Sequence, residues 1–317
     1  MFRKPRRTTA TIAALVAPLL TLSACSTGSG DGDDGTLEVL TSFYPLQMVA
    51  EEVGGDRVEV SSLTPPGAEP HDVELSPAQV ASLDAADLVV VQSGFQAAVD
   101  DALAQTAPAH VVDATDVVAL ATPTADEAHE EDHPDDDGHD HEHDHDGLDP
   151  HFWLDPTLMP AVADAVADAL AEIDPEGADT YRANAEALSA RFVELDEAYT
   201  TGLATCERRV FVTTHEAFGY LAQRYGLEQV GISGIDPEAE PSPARLREVG
   251  EVVDAEGVTT IFFETLASPK VAHTLAADLG VQAAVLDPIE GLVDDSQDYF
   301  SIAEANLDAL RVALSCS

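Results

Sequence analysis

The sequence predicts an α/β protein of two units with mainly parallel sheets, joined by one long helix. Short apolar runs alternate with helical or loop segments, which is typical of a parallel sheet covered by helices. This alternation restarts after residue 206, and a long helical stretch separates the two halves. The length of 317 residues suits two domains of ordinary size.

The first unit is predicted to cover residues 37–174. Its buried strands are expected at residues 37–40, 58–63, 87–91 and 110–112. Helical spacing of apolar residues is present at 80–86 and 95–105.

The second unit is predicted to cover residues 205–317. Its strands are expected at residues 209–213, 228–232, 260–263 and 283–286. Helices are expected between or after them at 218–225, 243–256, 270–279 and 299–314.

The connecting helix is predicted over residues 175–204. Pro175 suits a first helical turn, and Asp174 suits the cap before it. One stripe of apolar residues follows at spacings of three, four and seven: Tyr181, Leu188, Phe192, Leu195 and Tyr199. Its 28 residues from 176 to 203 would span about 42 Å, so we interpret it as a stiff strut that packs against both units.

The N-terminal segment has the features of an export signal over residues 1–24. A cationic start precedes a short apolar core that ends in Leu22-Ser23-Ala24-Cys25. This ending resembles the lipobox of bacterial lipoproteins, in which the Cys is lipidated; an ordinary signal peptide with an incidental Cys is the alternative. Residues 25–36 would then be a flexible tether, and the chain a lipid-anchored protein on the extracytoplasmic face of the cell membrane. The Arg6-Arg7 pair leaves the choice between Sec and twin-arginine export open.

The formal net charge is −46 at pH 7. Such a charge argues against nucleic acid and anionic lipid as partners and raises the local concentration of cations. It does not define a specific site, and a salty habitat or biased codon usage would produce the same excess of acid.

The most unusual segment is residues 126–146, which contain twelve acidic residues and six histidines. The histidines are His129, His133, His139, His141, His143 and His145. With no branched aliphatic or aromatic residue, this segment is predicted to be a solvated loop. Imidazole favours zinc, copper or nickel, so we interpret the loop as metal-binding rather than as a plain acidic linker.

Two cysteines besides Cys25 are Cys206 and Cys316. An exported chain with two remaining thiols indicates one disulfide, here closing a loop of about 110 residues. Two free thiols or zinc thiolates are the alternatives.

Four potential metal ligands follow strand-like runs or lie in loops: His71, His151, His215 and Asp287. Because ligands bind at the carboxyl ends of strands in open α/β sheets, these four could converge on one ion in the cleft between the units. A lone histidine is more often structural than a ligand, so the prediction depends on the four together. His110 and His273 lie outside this pattern and are expected to be structural.

The chain resembles the zinc- and manganese-binding lipoproteins of ABC metal importers over nearly all of residues 25–317. The matching segments are SFYPLQM (42–48), PHDVELSP (70–77), ADLVVV (86–91), DPHFWLDP (149–156), TTHEAFGYLAQRYGL (213–227), GISGIDPEAEPSP (231–243) and LDPIEGL (286–292). The resemblance implies two α/β lobes joined by a long helix, with metal buried between them. It implies His71, His151 and His215 as ligands, and Asp287 as the carboxylate ligand. Some zinc-binding members use the residue before the first histidine instead, but Pro70 has no ligating side chain.

Three imidazoles and one carboxylate suit tetrahedral Zn²⁺ better than Mn²⁺, which prefers oxygen ligands; Cu²⁺ would bind still more strongly. The resemblance further implies a monomer that delivers Zn²⁺ to an ABC permease, with the histidine-rich loop as a low-affinity collector. A surface adhesin or a zinc buffer remains an alternative. An exported zinc hydrolase is a more distant one, because His215-Glu216 lacks the second histidine of the H-E-x-x-H motif at Gly219.

Overall fold

A computed structural model describes residues 36–122 and 148–317 of the chain. The predicted signal (1–24), Cys25 and the tether up to residue 35 lie outside the described residues. The same holds for the histidine-rich segment 126–146 with His129, His133, His139, His141, His143 and His145.

The N-terminal half is a four-stranded parallel sheet in the order β2-β1-β3-β4. Its strands are β1 (Leu37–Thr41), β2 (Val58–Ser62), β3 (Leu88–Val91) and β4 (Val111–Asp113). Its helices are α1 (Tyr44–Gly54), α2 (Pro77–Ala85), α3 (Ala97–Gln105) and α4 (Met159–Ile173).

The C-terminal half repeats this topology in the order β6-β5-β7-β8, again all parallel. After α5, described below, the elements are β5 (Val210–Thr213), α6 (Gly219–Tyr225), β6 (Glu228–Gly231), α7 (Pro243–Glu256), β7 (Thr260–Phe263), α8 (Lys270–Leu279), β8 (Gln282–Val285) and α9 (Tyr299–Ala313). The predicted fold class is confirmed, and all eight predicted strands are present within one residue at each end.

Two helices, α1 and α4, were not predicted. Both carry a proline in the first turn, where its missing N–H leaves no hydrogen bond unmade. Eight of the eleven residues of α1 are buried, so only a narrow polar face marks its helical period in the sequence.

Alternating side chains of the strands enter different cores because successive residues of a strand point to opposite faces. In β3, Leu88 and Val90 contribute to a core shared with α1 and α4, while Val89 and Val91 pack towards α2 and α3. In the C-terminal half, Phe211 belongs to the shared core and Val212 to a separate core with α7 and α8. The shared core therefore continues through both halves.

The connecting helix α5 spans Ala178–Gly202, so it begins three residues later than predicted. Asp174 ends α4 instead of capping α5: its backbone N–H donates to Leu170 O at 2.8 Å. The Asp174 carboxylate accepts hydrogen bonds from the side chains of Arg57 and Tyr181. The predicted apolar stripe from Tyr181 to Tyr199 is buried throughout.

Helix α5 contacts helices of both halves, α1 and α4 on one side and α9 on the other. The Arg191 guanidinium lies 3.9 Å from the centre of the Phe300 ring. It also pairs with Glu52 at 2.7 Å and with Asp298 at 3.4 Å, so one side chain joins α1 to the start of α9. This arrangement supports the interpretation of α5 as a strut.

The predicted disulfide between Cys206 and Cys316 is confirmed. The two cysteines also form an isolated antiparallel bridge, which ties the segment after α5 to the segment after α9. No helix in residues 36–122 or 148–317 is long and apolar enough to span a membrane.

Candidate metal centre

Four side chains from separate loops meet between the two halves: His71, His151, His215 and Glu290. Each loop follows the carboxyl end of a strand, namely β2, β4, β5 and β8 in that order. Parallel strands place these ends at one edge of each sheet, which is where open α/β sheets bind ligands.

His71 is presented by the loop between β2 and α2. Its backbone N–H donates to Glu69 Oε1 at 2.9 Å, and the preceding carbonyl, of Pro70, accepts from Gln96 Nε2 at 3.0 Å. The His71 ring packs edge-on against Phe95 with 4.8 Å between ring centres. The ring is 12% exposed, so this is the most accessible of the four side chains.

His151 is positioned by Asp149, two residues earlier. Asp149 Oδ1 accepts from the His151 backbone N–H at 2.9 Å and lies 2.7 Å from ring Nδ1. A carboxylate can only accept, so Nδ1 carries the proton and Nε2 is free to bind an ion.

Trp153, in the same segment, places an apolar ring beside the site. It is fully buried, and its ring centre lies 5.2 Å from that of His151. Its Nε1 donates to Pro288 O at 2.7 Å, which connects the segment of His151 to the loop that carries Glu290. Phe152 contacts Trp153 at 6.0 Å between ring centres.

His215 lies two residues after β5 and is held by a carboxylate from a different strand. Its Nδ1 is 2.7 Å from Glu264 Oε1, and the Thr214 hydroxyl donates to the same oxygen at 2.7 Å. Glu264 directly follows β7 and is 4% exposed. The sequence interpretation missed Glu264, although a charged residue directly after a short apolar strand was an available signal.

The fourth group is Glu290, whereas the sequence prediction named Asp287. The Asp287 carboxylate accepts from the Thr265 hydroxyl at 2.6 Å and from the Ile289 N–H at 2.8 Å. These hydrogen bonds stabilise a turn in the loop, and Ile289 within that turn has a φ of 60°. The bend brings Glu290, three residues further along, to the histidines. Both carboxylates lie in the segment LDPIEGL. The sequence prediction chose Asp287 because it is the one nearer to the end of the strand.

The four candidate ligand atoms have a spacing that suits one small ion. Glu290 Oε1 lies 3.2 Å from His151 Nε2, 3.5 Å from His71 Nε2 and 3.6 Å from His215 Nε2. His71 Nε2 and His151 Nε2 are 3.3 Å apart, and all four atoms lie within 4.8 Å of one another. A tetrahedral ion with ligands at 2.0–2.1 Å would place them about 3.3–3.4 Å apart.

The polar atoms at the centre lack ordinary hydrogen-bond partners. Both carboxylate oxygens of Glu290 and Nε2 of His215 are buried without a hydrogen bond in the described residues. Glu290 and His151 are fully buried, and His215 is 1% exposed. Since an unsatisfied buried carboxylate is costly, positive charge at this centre would stabilise it, and the four residues could hold a cation.

The charges of the site shift its pKa values strongly. Burial opposes the charged form of His215, but the Glu264 and Glu290 carboxylates raise its pKa to about 10. Burial also opposes ionisation of Glu290, but the three histidines hold its pKa well below the usual value. Burial and the charge of Glu290 raise the pKa of nearby Glu69 to about 8. The geometry therefore favours an ionised Glu290 beside positive charge.

The remaining predicted residues lie apart from this group. His110 and His273 do not belong to it, and the His273 ring packs against Phe263 with 4.8 Å between ring centres.

Comparisons with known proteins identify relatives of this chain. The family described as zinc-uptake complex component A, periplasmic (ZnuA), matches residues 39–313. The high-affinity zinc uptake system protein ZnuA of Bacillus subtilis is 36% identical over 311 residues, which cover 95% of this chain and 96% of that protein. The zinc-binding lipoprotein AdcA of Streptococcus pneumoniae is 36% identical over 307 residues, but this chain spans 60% of AdcA.

Two examples of similar solved structures follow. The laminin-binding protein Lmb of Streptococcus agalactiae, described as bifunctional with adhesin and metal transporting activity, has a TM-score of 0.76 and 34% identity. It covers 88% of this chain and 99% of its own. The Zn(II)-bound ZnuA-like domain of S. pneumoniae AdcA has a TM-score of 0.72 and 34% identity, with the same coverages. The fold, the site and these similarities together place this chain in the ZnuA family of zinc-uptake components.

Proposed function

We propose that this protein captures Zn²⁺ outside the cytoplasmic membrane and delivers it to the permease of an ABC importer. The observation that carries this proposal is the spacing of three Nε2 atoms and one carboxylate oxygen, which fits a tetrahedral ion. The names of the similar proteins, which include zinc uptake and zinc-binding proteins, support it.

In this proposal His71, His151 and His215 bind zinc through Nε2, and Glu290 provides the fourth bond and one negative charge. Asp149 and Glu264 hold the Nδ1 protons of His151 and His215, which orients both rings and increases their basicity. We propose no corresponding carboxylate for the Nδ1 proton of His71. The ring of His71 would therefore be the least constrained of the three.

Four protein ligands complete a tetrahedral sphere and leave no position for a reactive water. This supports binding and transport rather than catalysis. Three nitrogen ligands also favour zinc over manganese, since manganese prefers oxygen and binds most weakly among the divalent first-row transition metals. Copper would compete, so selectivity in the cell depends partly on which metal is available.

The segments outside the described residues have supporting roles in this proposal. Cys25 would carry the lipid anchor, with residues up to 36 as its tether. The histidines between His129 and His145 would collect zinc weakly, near the tight site, and lose it as they become protonated below about pH 6.

Metal competition and uptake would test the function. We expect one tight zinc per chain that equimolar Mn²⁺ does not displace, and restored zinc uptake when the chain is returned to a strain lacking it. Displacement of zinc by equimolar manganese would refute the metal assignment. Tight zinc binding without restored uptake would instead identify a zinc buffer.

Deleting residues 126–146 separates the tight site from the collector. We expect the tight zinc to remain and the weaker ions to disappear in equilibrium dialysis. Loss of the tight zinc would contradict the ligand set proposed above.

A further inference from the structure

A groove in the C-terminal half is not used by the metal centre. It has a volume of about 490 Å³ and lies between the loop after β6 and helix α8. Its apolar lining includes Ile232, Leu246, Val271 and Leu275. Val271 is 38% exposed, so part of this apolar surface faces solvent.

The rim of the groove is mainly acidic. Glu238, Glu240 and Asp278 line it, against a single cation, Lys270. All four are exposed. An apolar floor with a negatively charged rim is complementary to a segment that combines aliphatic side chains with arginine or lysine.

The groove is formed before any partner binds, because its loop is held by its own hydrogen bonds. The Ser233 hydroxyl donates to Ala239 O at 2.8 Å, and the Glu238 N–H donates to Asp236 Oδ1 at 2.8 Å. At the end of the loop, Ser242 caps α7 through the Arg245 N–H. A preformed groove reduces the entropy lost on docking.

The groove also adjoins the metal centre. Thr214 lines it, and the hydroxyl of Thr214 donates to the same Glu264 oxygen that holds His215 Nδ1. A segment docked here would lie two hydrogen bonds away from one proposed zinc ligand.

We propose that this groove docks a cationic, apolar extracytoplasmic segment of the permease. The inference rests on the proposed function, since it names the surface through which zinc delivery would take place. The strong negative charge of the chain, −46 in total, would attract such a segment over a distance, and the groove would give it a defined seat.

The test uses the cognate permease and ATPase in vesicles of neutral lipid, with zinc-loaded chain added at increasing concentration. The groove variant is Glu238→Lys with Glu240→Lys. Its matched control is Asp164→Lys with Asp168→Lys, which makes the same change in charge on exposed residues of α4. We expect the groove variant to raise the half-saturating concentration for ATPase stimulation about tenfold or more at low salt, and the control to change it little.

A second pair avoids any change in charge. Thr274→Trp would fill the groove from α8, and Thr180→Trp places the same bulk on exposed α5. We expect only Thr274→Trp to weaken stimulation, with zinc affinity unchanged in all four variants.

Equal effects of groove and control variants, or no effect of either groove variant, would overturn the docking proposal while leaving zinc delivery intact. A fall in zinc affinity in the groove variants would also overturn it, because the groove would then support the metal site itself. If the unaltered zinc-loaded chain failed to stimulate the transporter, the proposed function would fail and this inference with it.

Discussion

The two halves of the molecule share one sheet topology but provide their metal-site residues differently. In both halves a loop after the fourth strand brings one group, His151 in the N-terminal half and Glu290 in the C-terminal half. The other groups are not equivalent: His71 follows the second strand of its sheet, and His215 follows the first. Two residues after β1, where the C-terminal half has His215, the N-terminal half has the fully buried Phe43.

The residues directly after β3 and β7 also differ between the two halves. Gln92 donates through Nε2 to Pro150 O at 2.7 Å, and so supports the segment of His151 by its backbone. Glu264 occupies the corresponding place and contacts the ring of His215 itself. The shared topology therefore places a supporting residue at the same position in each half. The residue type decides whether it acts through a neutral amide, as in Gln92, or through a charged carboxylate, as in Glu264.

The largest effect we predict is on the free energy of unfolding and comes from the disulfide, which links two residues of the C-terminal half. Replacing Cys206 and Cys316 by serine should reduce the free energy of unfolding by about 2–5 kcal/mol, because a constraint on a long loop of the unfolded chain is lost. Denaturant unfolding of the zinc-free protein measures this. Zinc affinity should hardly change, and a large fall in affinity would mean that the disulfide also shapes the site.

The next effect compares the two carboxylates of the loop after β8. Glu290→Gln should weaken zinc binding by more than the 10- to 100-fold expected when a residue that only supports a ligand is changed, because it removes the only negative charge among the four proposed ligands. Asp287→Asn should have a smaller effect, through the turn that Asp287 holds. Titration against a zinc chelator measures both, and the reverse order would restore Asp287 as the ligand.

A third comparison concerns the two carboxylates that hold histidine rings. Asp149→Asn and Glu264→Gln should each weaken zinc binding about 10- to 100-fold, because the ring loses its orientation and basicity. Gln92→Ala, which removes only a backbone contact, is the milder control. Isothermal titration would reveal whether local support (Asp149) and support across strands (Glu264) are equally effective. Unchanged affinity in both variants would contradict their orienting roles.

The smallest expected effect is the change in zinc affinity for each pH unit. The pKa of His215 is raised to about 10 in the metal-free protein, so at lower pH values both ring nitrogens carry a proton, and zinc must displace the proton on Nε2. Affinity should therefore rise about tenfold per pH unit for each proton displaced between pH 6.5 and 9. The charged ring stabilises the zinc-free fold fully below pH 6.5, and this contribution is lost as pH rises through 10.

Calorimetry in buffers of different ionisation enthalpy would count the released protons. In Glu264→Gln the slope should decrease, because the carboxylate that raises the pKa of His215 is neutralised. A slope near zero in the unaltered protein would contradict a protonated His215.

Much of the fold could be predicted from sequence because its strands are short apolar runs bounded by turns. The apolar stripe of α5 likewise predicted a helix that packs against both halves. The start of α5 could not be predicted in this way, since Asp174 is a good cap by residue type but is engaged with Arg57 and Tyr181. The contact between Asp174 and Arg57, which are 117 residues apart, therefore contributes to where α5 begins.

The site was predicted in part for a similar reason. His71, His151 and His215 stand at strand ends, and the structure brings all three together. Glu290 and Asp287 are three residues apart in one loop, and only the turn at Ile289 determines which carboxylate reaches the histidines. Glu264 was missed because its partner, His215, lies 49 residues away.

The amino-acid sequence by itself determined the fold class and the long helix, because these follow from local apolar patterns, and residue chemistry made the two cysteines and the three histidines candidates for a disulfide and a metal site. Only the tertiary structure decided which carboxylate completes the site and which acids orient the rings. Those choices depend on distances between segments far apart in the chain, which the packing of two sheets against α5 fixes.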